Sequence, residues 1–340
     1  MAVYTVLSPE ALADAAARFG LPPPERVRPE PRGYVNTSYH LWAGGRRFFL
    51  RVNEGKTAAD AGFEAEVQRF LFDARYPVPA LVPAADGRAF IEVAGKPALL
   101  FAYAPGEPTP ALEPERCRQA GEQLGRLHEL AAGFGGARDN PYGPARVEAW
   151  LAPLLRRPAP EPELAAALPL LREALAEARR LPGAPRGLVH GDLFPDNVLW
   201  IGDRLSAVLD WEMSCVEAFA WDLGVALCAW AWTGSRSSVQ GEPGPGDESP
   251  GAGFDRANVR ALLAGYGARR RLDPDTAEAL PAWTRFAALR FTASRLDAAQ
   301  GPAAPPERVV RKDWREFRDR LAALRGLGDE GFRELAGLAP

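Results

Sequence analysis

The residues best placed to do chemistry are Asp192 and Asn197, in the run His190-Gly191-Asp192-Leu193-Phe194-Pro195-Asp196-Asn197, and Asp210, in Val208-Leu209-Asp210-Trp211-Glu212. Asp192 and Asn197 stand five residues apart across a segment broken by Pro195, so both side chains can face one point. Asp210 ends the next extended run. Two carboxylates and an amide suit a nucleotide-bound Mg²⁺, which prefers hard oxygen ligands and keeps several waters. Phosphoryl transfer needs a group to take the proton of the attacking hydroxyl and oxygens that hold the metal on the phosphates. Asp192 is the expected proton acceptor, with Asn197 and Asp210 as the expected metal ligands. His190 is expected to brace the loop as a neutral imidazole. A polar turn with a capping Asp would account for HxD alone. HxDxxxxN followed by an apolar strand ending in DWE is far more specific.

The elements that must position these groups can be read along the chain. Ser8, Pro9 and Gly20 delimit a first helix, with Leu12, Ala15, Ala16 and Phe19 on one face. Leu21 to Pro31 is Pro-rich and reads as a loop. Residues 33–52 read as two strands about Gly44-Gly45, with Arg47, Phe49 and Arg51 on one face of the second. A helix is predicted from about Ala58 to Phe72, with Phe63, Val67, Phe70 and Leu71 as its apolar stripe. RAFIEV and PALLFAYA complete four strands. After the linker Ala104–Pro108, segments 113–131, 146–155, 163–180, 214–232, 255–267, 275–298 and 306–324 have helical spacing. GLVH, NVLWI and LSAVLD, within 187–210, read as short extended runs. Residues 234–253 are rich in Gly, Pro and Ser and read as a mobile insertion. The predicted class is α+β with a bilobal, protein-kinase-like layout. A β-rich, nucleotide-binding N-lobe spans 1–103, and a mainly helical C-lobe with the catalytic and metal loops spans 104–340.

Composition narrows the partners. The 340 residues are 47% hydrophobic and 25% charged with a net charge of -3, which gives no basic surface for nucleic acid and no membrane signal. The most apolar run, Leu223 to Trp232, is about half the length of a membrane span. The N-terminus has neither a basic n-region nor an apolar core, so a cytoplasmic protein is expected. Cys117, Cys215 and Cys228 fit neither a zinc site nor a disulfide framework. The expected state is a monomer or weak homodimer.

The stretch 190–212 resembles the catalytic and metal loops of the aminoglycoside phosphotransferase and choline kinase superfamily. LGRLHEL (Leu124 to Leu130), FEAEVQRFLFDARYPVP (Phe63 to Pro79) and WDLG (Trp221 to Gly224) extend the likeness. Within that superfamily the chain is most similar to the bacterial type II homoserine kinases. The matching segments are MAVYTVLS, GYVNTSYHL, GKPALLFAYAPGE, HGDLFPDNVLWIGDRLSAVLD, ALLAGY and AALRFTASRLDA, and the likeness runs from residue 1 to about residue 298. The resemblance implies a kinase-like fold, ATP as donor with Mg²⁺, a small-molecule amino acid or amino alcohol as the expected partner, and phosphorylation of L-homoserine on the way to threonine.

It also suggests roles in the small lobe. Gly33 to Ser38 would cover the phosphates, with Asn36, Thr37 and Ser38 adding polar bonds. Arg51 stands where kinases place a phosphate-pairing Lys, and its planar guanidinium suits phosphate oxygens. Glu64 is expected to orient it, with Glu66 as the alternative. Phe101 to Tyr103 would be the hinge that meets adenine through backbone groups. On the acceptor side, Glu212 and Asp222 are candidates for an ammonium, Asp222 more readily as a brace for the 190–197 loop. Arg290 and Arg295 are candidates for a carboxylate; about 140° apart on a helix, only one is expected to face a pocket. The type II enzymes often have an aromatic pair after the metal Asp. Here Trp211-Glu212-Met213-Ser214-Cys215 is closer to the general superfamily pattern, which keeps aminoglycoside- or choline-type acceptors in view. A non-catalytic relative would be expected to lack Asp192, Asn197 or Asp210.

Overall fold

A computed structural model describes residues 5–30, 36–109, 111–156, 161–234, 253–300 and 312–338. They fall into two compact units. The first draws on Met1–Gly106 and Ser206–Glu212, the second on Glu107–Leu205, Met213–Gln300 and Arg311–Pro340. Gly33 and all but the ends of the 234–253 segment lie outside the described residues.

In the first unit, helix α1 (Pro9–Arg18) starts where the Ser8 hydroxyl accepts the Ala11 N–H at 3.2 Å. Strands β1 (Arg26–Pro29), β2 (Thr37–Ala43) and β3 (Arg46–Val52) follow. Helix α2 (Ala58–Asp73) opens with a reciprocal cap: Thr57 Oγ1 accepts the Asp60 N–H, and the Asp60 carboxylate accepts the Thr57 N–H. Strands β4 (Leu81–Val82), β5 (Ile91–Val93) and β6 (Lys96–Ala102) complete an antiparallel sheet of order β1-β2-β3-β6-β4, with β5 also on β6.

Alternation along β3 divides its side chains between two cores. Phe48, Leu50 and Val52 pack with Leu12, Ala15 and Phe19 of the α1 region. Phe49, Leu99 and Phe101 pack with Ala61 and Ala65 of α2. Two details depart from the sequence reading. Arg26–Pro29, expected to be loop, pairs with β2; it is a mostly exposed edge strand, so it carries no hydrophobic alternation. The buried residues of α2 are Ala61, Glu64, Ala65, Val67, Gln68 and Leu71, so Val67 and Leu71 of the expected stripe face the core while Phe63 and Phe70 are only half-buried.

The second unit is mainly helical: α3 (Pro114–Leu130), α4 (Pro144–Leu155), α5 (Pro162–Ala178), α6 (Phe219–Trp230), α7 (Arg256–Gly267), α8 (Pro274–Gln300) and α9 (Arg315–Ala336). Between α5 and α6 run β7 (Arg186–Val189), β8 (Val198–Ile201), β9 (Arg204–Val208) and β10 (Cys215–Ala218), and the chain passes from the second unit to the first within β9. Residues 215–218 were expected to be helical. They instead pair antiparallel with β7, Cys215 opposite Val189, and every residue of α6 that follows is buried. Helices α3 and α7 approach backbone to backbone: a Cβ on Gly265 would lie 1.9 Å from the Arg118 carbonyl oxygen. This brings His128 of α3 against Tyr266 of α7. The last helix runs on to Ala336, with a break at Gly328, rather than ending near 324; residues 306–311 lie outside the described set. No described helix is long and apolar enough to cross a membrane.

Candidate active site

Strand β7 delivers the chain to His190, and Asp222 of α6 holds the turn that follows. Its carboxylate accepts the N–H of His190 and the N–H of Gly191, both at 2.8 Å, and Nε2 of His128 lies 3.1 Å away. The Asp222 side chain is fully buried, so these bonds replace its lost hydration. An ionised carboxylate only accepts, so Nε2 of His128 carries the proton, and Nδ1, 3.0 Å from the Tyr266 hydroxyl, accepts. Burial keeps His128 below its ordinary pKa and therefore neutral. Burial would raise the Asp222 pKa, but the His128 bond and the other groups around it hold it below its usual value. Gly191 has φ of +77°, and a Cβ there would meet the Met213 carbonyl oxygen and the Trp221 ring at 3.0 Å. Only glycine fits this turn.

The turn orders the pair that the sequence singles out. The Asp192 N–H donates to Nδ1 of His190 at 3.2 Å. The Asn197 amide nitrogen donates to the Asp192 carbonyl at 2.8 Å and to its carboxylate at 3.2 Å. That leaves the Asn197 amide oxygen as its lone-pair donor. Burial raises the Asp192 carboxyl above its ordinary pKa, and the Arg290 and Lys312 charges hold it back. Its basicity is thereby increased, as a proton acceptor requires.

Arg290 and Arg295 share α8 and have different surroundings. Arg295 donates to the Asp313 carbonyl at 2.6 Å and the Glu316 carboxylate at 2.8 Å, so its charge is matched. Arg290 is 4% exposed and forms no ion pair with any described carboxylate. Its guanidinium carbon lies 4.5 Å from the Tyr142 ring centroid and 3.9 Å from that of Phe291. One nitrogen contacts the Met213 thioether at 3.4 Å, and Nε has no hydrogen-bond partner among the described residues. Burial lowers the pKa of Arg290, with Asp192 acting against that shift. Both arginines are buried, and ion pairing separates them.

In the first unit, Arg51 of β3 is the centre. Its Nε donates to Asn53 at 2.9 Å, and its terminal nitrogens bond to Glu64 of α2 and, at 3.2 Å, to Asp210. Glu64 is 1% exposed and Glu66 faces solvent, so helix phase resolves that alternative. Burial would lower the Arg51 pKa, but Glu64, Asp210 and Glu212 together raise it, so the side chain stays charged. Asp210 itself adopts φ of +60°, a left-handed conformation that costs about 1–3 kcal/mol for a non-glycine residue. The next residue fixes it: Trp211 is fully buried, edge-on to Tyr76 at 5.6 Å, with its indole N–H on the Val208 carbonyl.

The polar residues at the start of β2 are committed within this unit. Asn36 donates to Glu212 at 2.7 Å and accepts the Glu54 N–H at 3.1 Å. Thr37 donates to Glu54 at 2.7 Å, and Lys96 and Thr5 converge on the same carboxylate. Ser38 is buried opposite Arg51 in the sheet register. Phe101 pairs with strands on both sides, the Ala102 N–H donates to Ala80 and the Tyr103 N–H to Arg47. The N–H groups of Ala102 and Tyr103 therefore already serve the fold. The Tyr103 ring instead lies under the Arg47 guanidinium at 3.7 Å.

Sequence reasoning missed Glu54, Asn53, Tyr142 and the His128–Tyr266 pair. The one available signal was His128, one of three histidines, set in an otherwise apolar helix face. Among the described residues no three His, Cys, Asp or Glu side chains converge as a metal cage.

A sheet unit with a buried Arg–Glu pair beside a strained Asp, and a helical unit whose braced turn presents an Asp–Asn pair, are the two halves of a protein-kinase-like phosphotransferase. The chain belongs to the phosphotransferase enzyme family, whose sequence pattern matches residues 26–274. It is 32% identical over 337 residues to a homoserine kinase of Hyphomonas neptunium, covering 98% of this chain and 99% of that one. A homoserine kinase of Caulobacter vibrioides is 33% identical over 339 residues, covering 96% and 98%. In fold, it is similar to a microcompartment-associated aminopropanol kinase (TM-score 0.63, 19% identity, 96% and 98% covered). An amicoumacin kinase in complex with AMP-PNP, Ca²⁺ and Ami gives a TM-score of 0.62 at 17% identity, with 90% and 89% covered.

Proposed function

We propose that this phosphotransferase moves the γ-phosphoryl group of ATP to the side-chain hydroxyl of L-homoserine, giving O-phospho-L-homoserine and ADP. The observation that carries this reading is likeness to homoserine kinases over 96–98% of the chain at 32–33% identity. Asp192, Asn197 and Asp210 are all present, which argues against a non-catalytic relative.

In the reaction, the acceptor oxygen bonds to the γ-phosphorus, the bond to the β,γ-bridging oxygen breaks, and ADP leaves. Asp192 takes the hydroxyl proton, its position set by Asn197 and by the Asp222-braced turn. Arg51, held charged by Glu64, pairs with nucleotide phosphate oxygens. Asp210 and the Asn197 amide oxygen would hold Mg²⁺, since their hard oxygens suit that ion. The metal, when bound, neutralises charge on the phosphates. Residues 1–103 are read as the nucleotide-binding lobe and 104–340 as the lobe for acceptor and catalysis, in a cytoplasmic enzyme.

The test is ATP consumption by the purified protein with Mg²⁺, across L-homoserine, L-serine, L-threonine, choline and an aminoglycoside set. Turnover with L-homoserine well above the others is expected. Efficient turnover only with choline or an aminoglycoside would move the protein to another branch of the family.

A further inference from the structure

We infer that Arg290 is the receptor for a carboxylate on the acceptor, so that the enzyme selects hydroxylated acids over the alcohols that lack that group. This rests on the proposed function and adds the chemical class that the acceptor site reads.

Arg290 carries a buried charge that meets no carboxylate at ion-pair distance among the described residues. A guanidinium carries five N–H donors and is seldom fully buried without an anion. Arg290 is 4% exposed, forms no ion pair among the described residues, and its Nε is unbonded. A thioether at 3.4 Å is a weak acceptor. The faces of Tyr142 and Phe291 favour a cation and fix its plane, but they accept none of the in-plane hydrogen bonds. The fork of a caged guanidinium is therefore set for a planar, two-oxygen anion, and a carboxylate matches it. Arg295, five residues on, differs on this point: its charge already meets Glu316.

Position relative to the reacting group supports an acceptor, and not merely a structural, anion. Phe194 of the 191–197 loop packs edge-on against Phe291 at 5.0 Å, and Phe291 packs on Phe317 at 4.8 Å. The residue after Arg290 thus keys α8 to the loop that carries Asp192. An acceptor held by its carboxylate at Arg290 would have its hydroxyl placed against Asp192 by a rigid aromatic spacer.

The experiment compares L-homoserine with 3-aminopropan-1-ol, the same molecule without its carboxylate, in wild type, Arg290→Gln and Arg290→Lys. The readouts are kcat/KM for each acceptor, KM for ATP, the thermal midpoint, and calorimetric L-homoserine binding in the presence of MgADP. Arg290→Gln is expected to lower kcat/KM for L-homoserine by about 10²–10³-fold, close to 3–4 kcal/mol at 1.4 kcal/mol per decade. Calorimetric binding of L-homoserine should be lost and KM for ATP stay within about threefold; because the Arg290 charge also acts on Asp192, some loss is expected on both acceptors, but the loss on L-homoserine should exceed that on the amino alcohol by at least about tenfold, and Arg290→Lys should recover part of the difference. Equal losses on both acceptors, or retained L-homoserine binding by a folded Arg290→Gln protein, would overturn the inference. If wild type phosphorylates a different hydroxy acid, the homoserine reading fails, and the same comparison with that acid and its decarboxylated amine still decides the role of Arg290. If wild type accepts only alcohols without a carboxylate, both readings fall.

Discussion

Replacing Asp222 with Ala removes one carboxylate and orphans three donors at once. The His190 and Gly191 N–H groups each lose an acceptor at 2.8 Å, and His128 loses its Nε2 partner at 3.1 Å. A hydrogen bond to a charged group is worth about 1.5–3 kcal/mol, so the gross loss is about 4–9 kcal/mol. Relief from burying a carboxylate in a fully dry position offsets several kcal/mol of that. The net destabilisation should be about 3–5 kcal/mol, the range for removing one partner of a buried charged network. Asp222→Asn keeps one acceptor oxygen but aims its NH₂ group at a donor, so it should fall between wild type and Ala. The assay is the urea midpoint of each variant, read by tryptophan fluorescence, with kcat measured on the folded protein. Turnover should fall with stability, because the same carboxylate sets the backbone just before Asp192. An Asp222→Ala protein within about 1 kcal/mol of wild type would refute the claim that this carboxylate holds the turn.

Asp192→Asn should lower kcat by about 10²–10⁴-fold with the affinity for MgATP nearly unchanged, as measured by steady-state kinetics and nucleotide titration. Glu64→Ala leaves Arg51 buried with the half-exposed Asp210 as its remaining ion-pair partner among the described residues and Glu212 acting from further off; it should cost about 3 kcal/mol in urea unfolding and raise KM for ATP, whereas Glu66→Ala at a solvent-facing position should stay within about 0.5 kcal/mol. Stability should also fall as pH drops from 7 to 5. Burial depresses the folded-state pKa of His128, so below an unfolded value of about 6.5 the unfolded chain binds a proton that the folded chain refuses. The slope is up to about 1.4 kcal/mol per pH unit per such group, and His40, also depressed chiefly by burial, adds the same sign. The depressed Asp222 contributes only as pH falls below about 4. His128→Gln should flatten the urea midpoint between pH 6.5 and 5, and an unchanged profile would show that His128 is already protonated in the fold.

Local chemistry was legible where a few adjacent residues suffice to specify it. The spacing of Asp192, Pro195 and Asn197 is a property of one turn, and the structure places the Asn197 amide on Asp192. The helix caps at Ser8 and Thr57 and the alternation of Phe48, Leu50 and Val52 are equally local. Strand β1 was not legible, because an exposed edge strand has no apolar period. Strand β10 was hidden because residues 214–232 are apolar almost throughout, and a segment buried on all sides carries neither the helical nor the strand period.

What the sequence by itself determined, then, is the kinase-like class, the order of its elements and the short spacing of its reactive groups, since these depend on neighbours within a turn or a strand. Only the tertiary structure decided which long-range partner each charge meets. The phase of α2 against the sheet turns Glu64 inward to Arg51 and Glu66 outward. The burial of α6 makes Asp222 the brace of the 190–191 backbone. The packing of α8 gives Arg295 a carboxylate and leaves Arg290 caged by Tyr142 and Phe291 with none among the described residues. Such pairings are decided by burial and helix phase, because the cost of a buried charge depends on what lies within a few ångströms of it, and distance along the chain does not encode that.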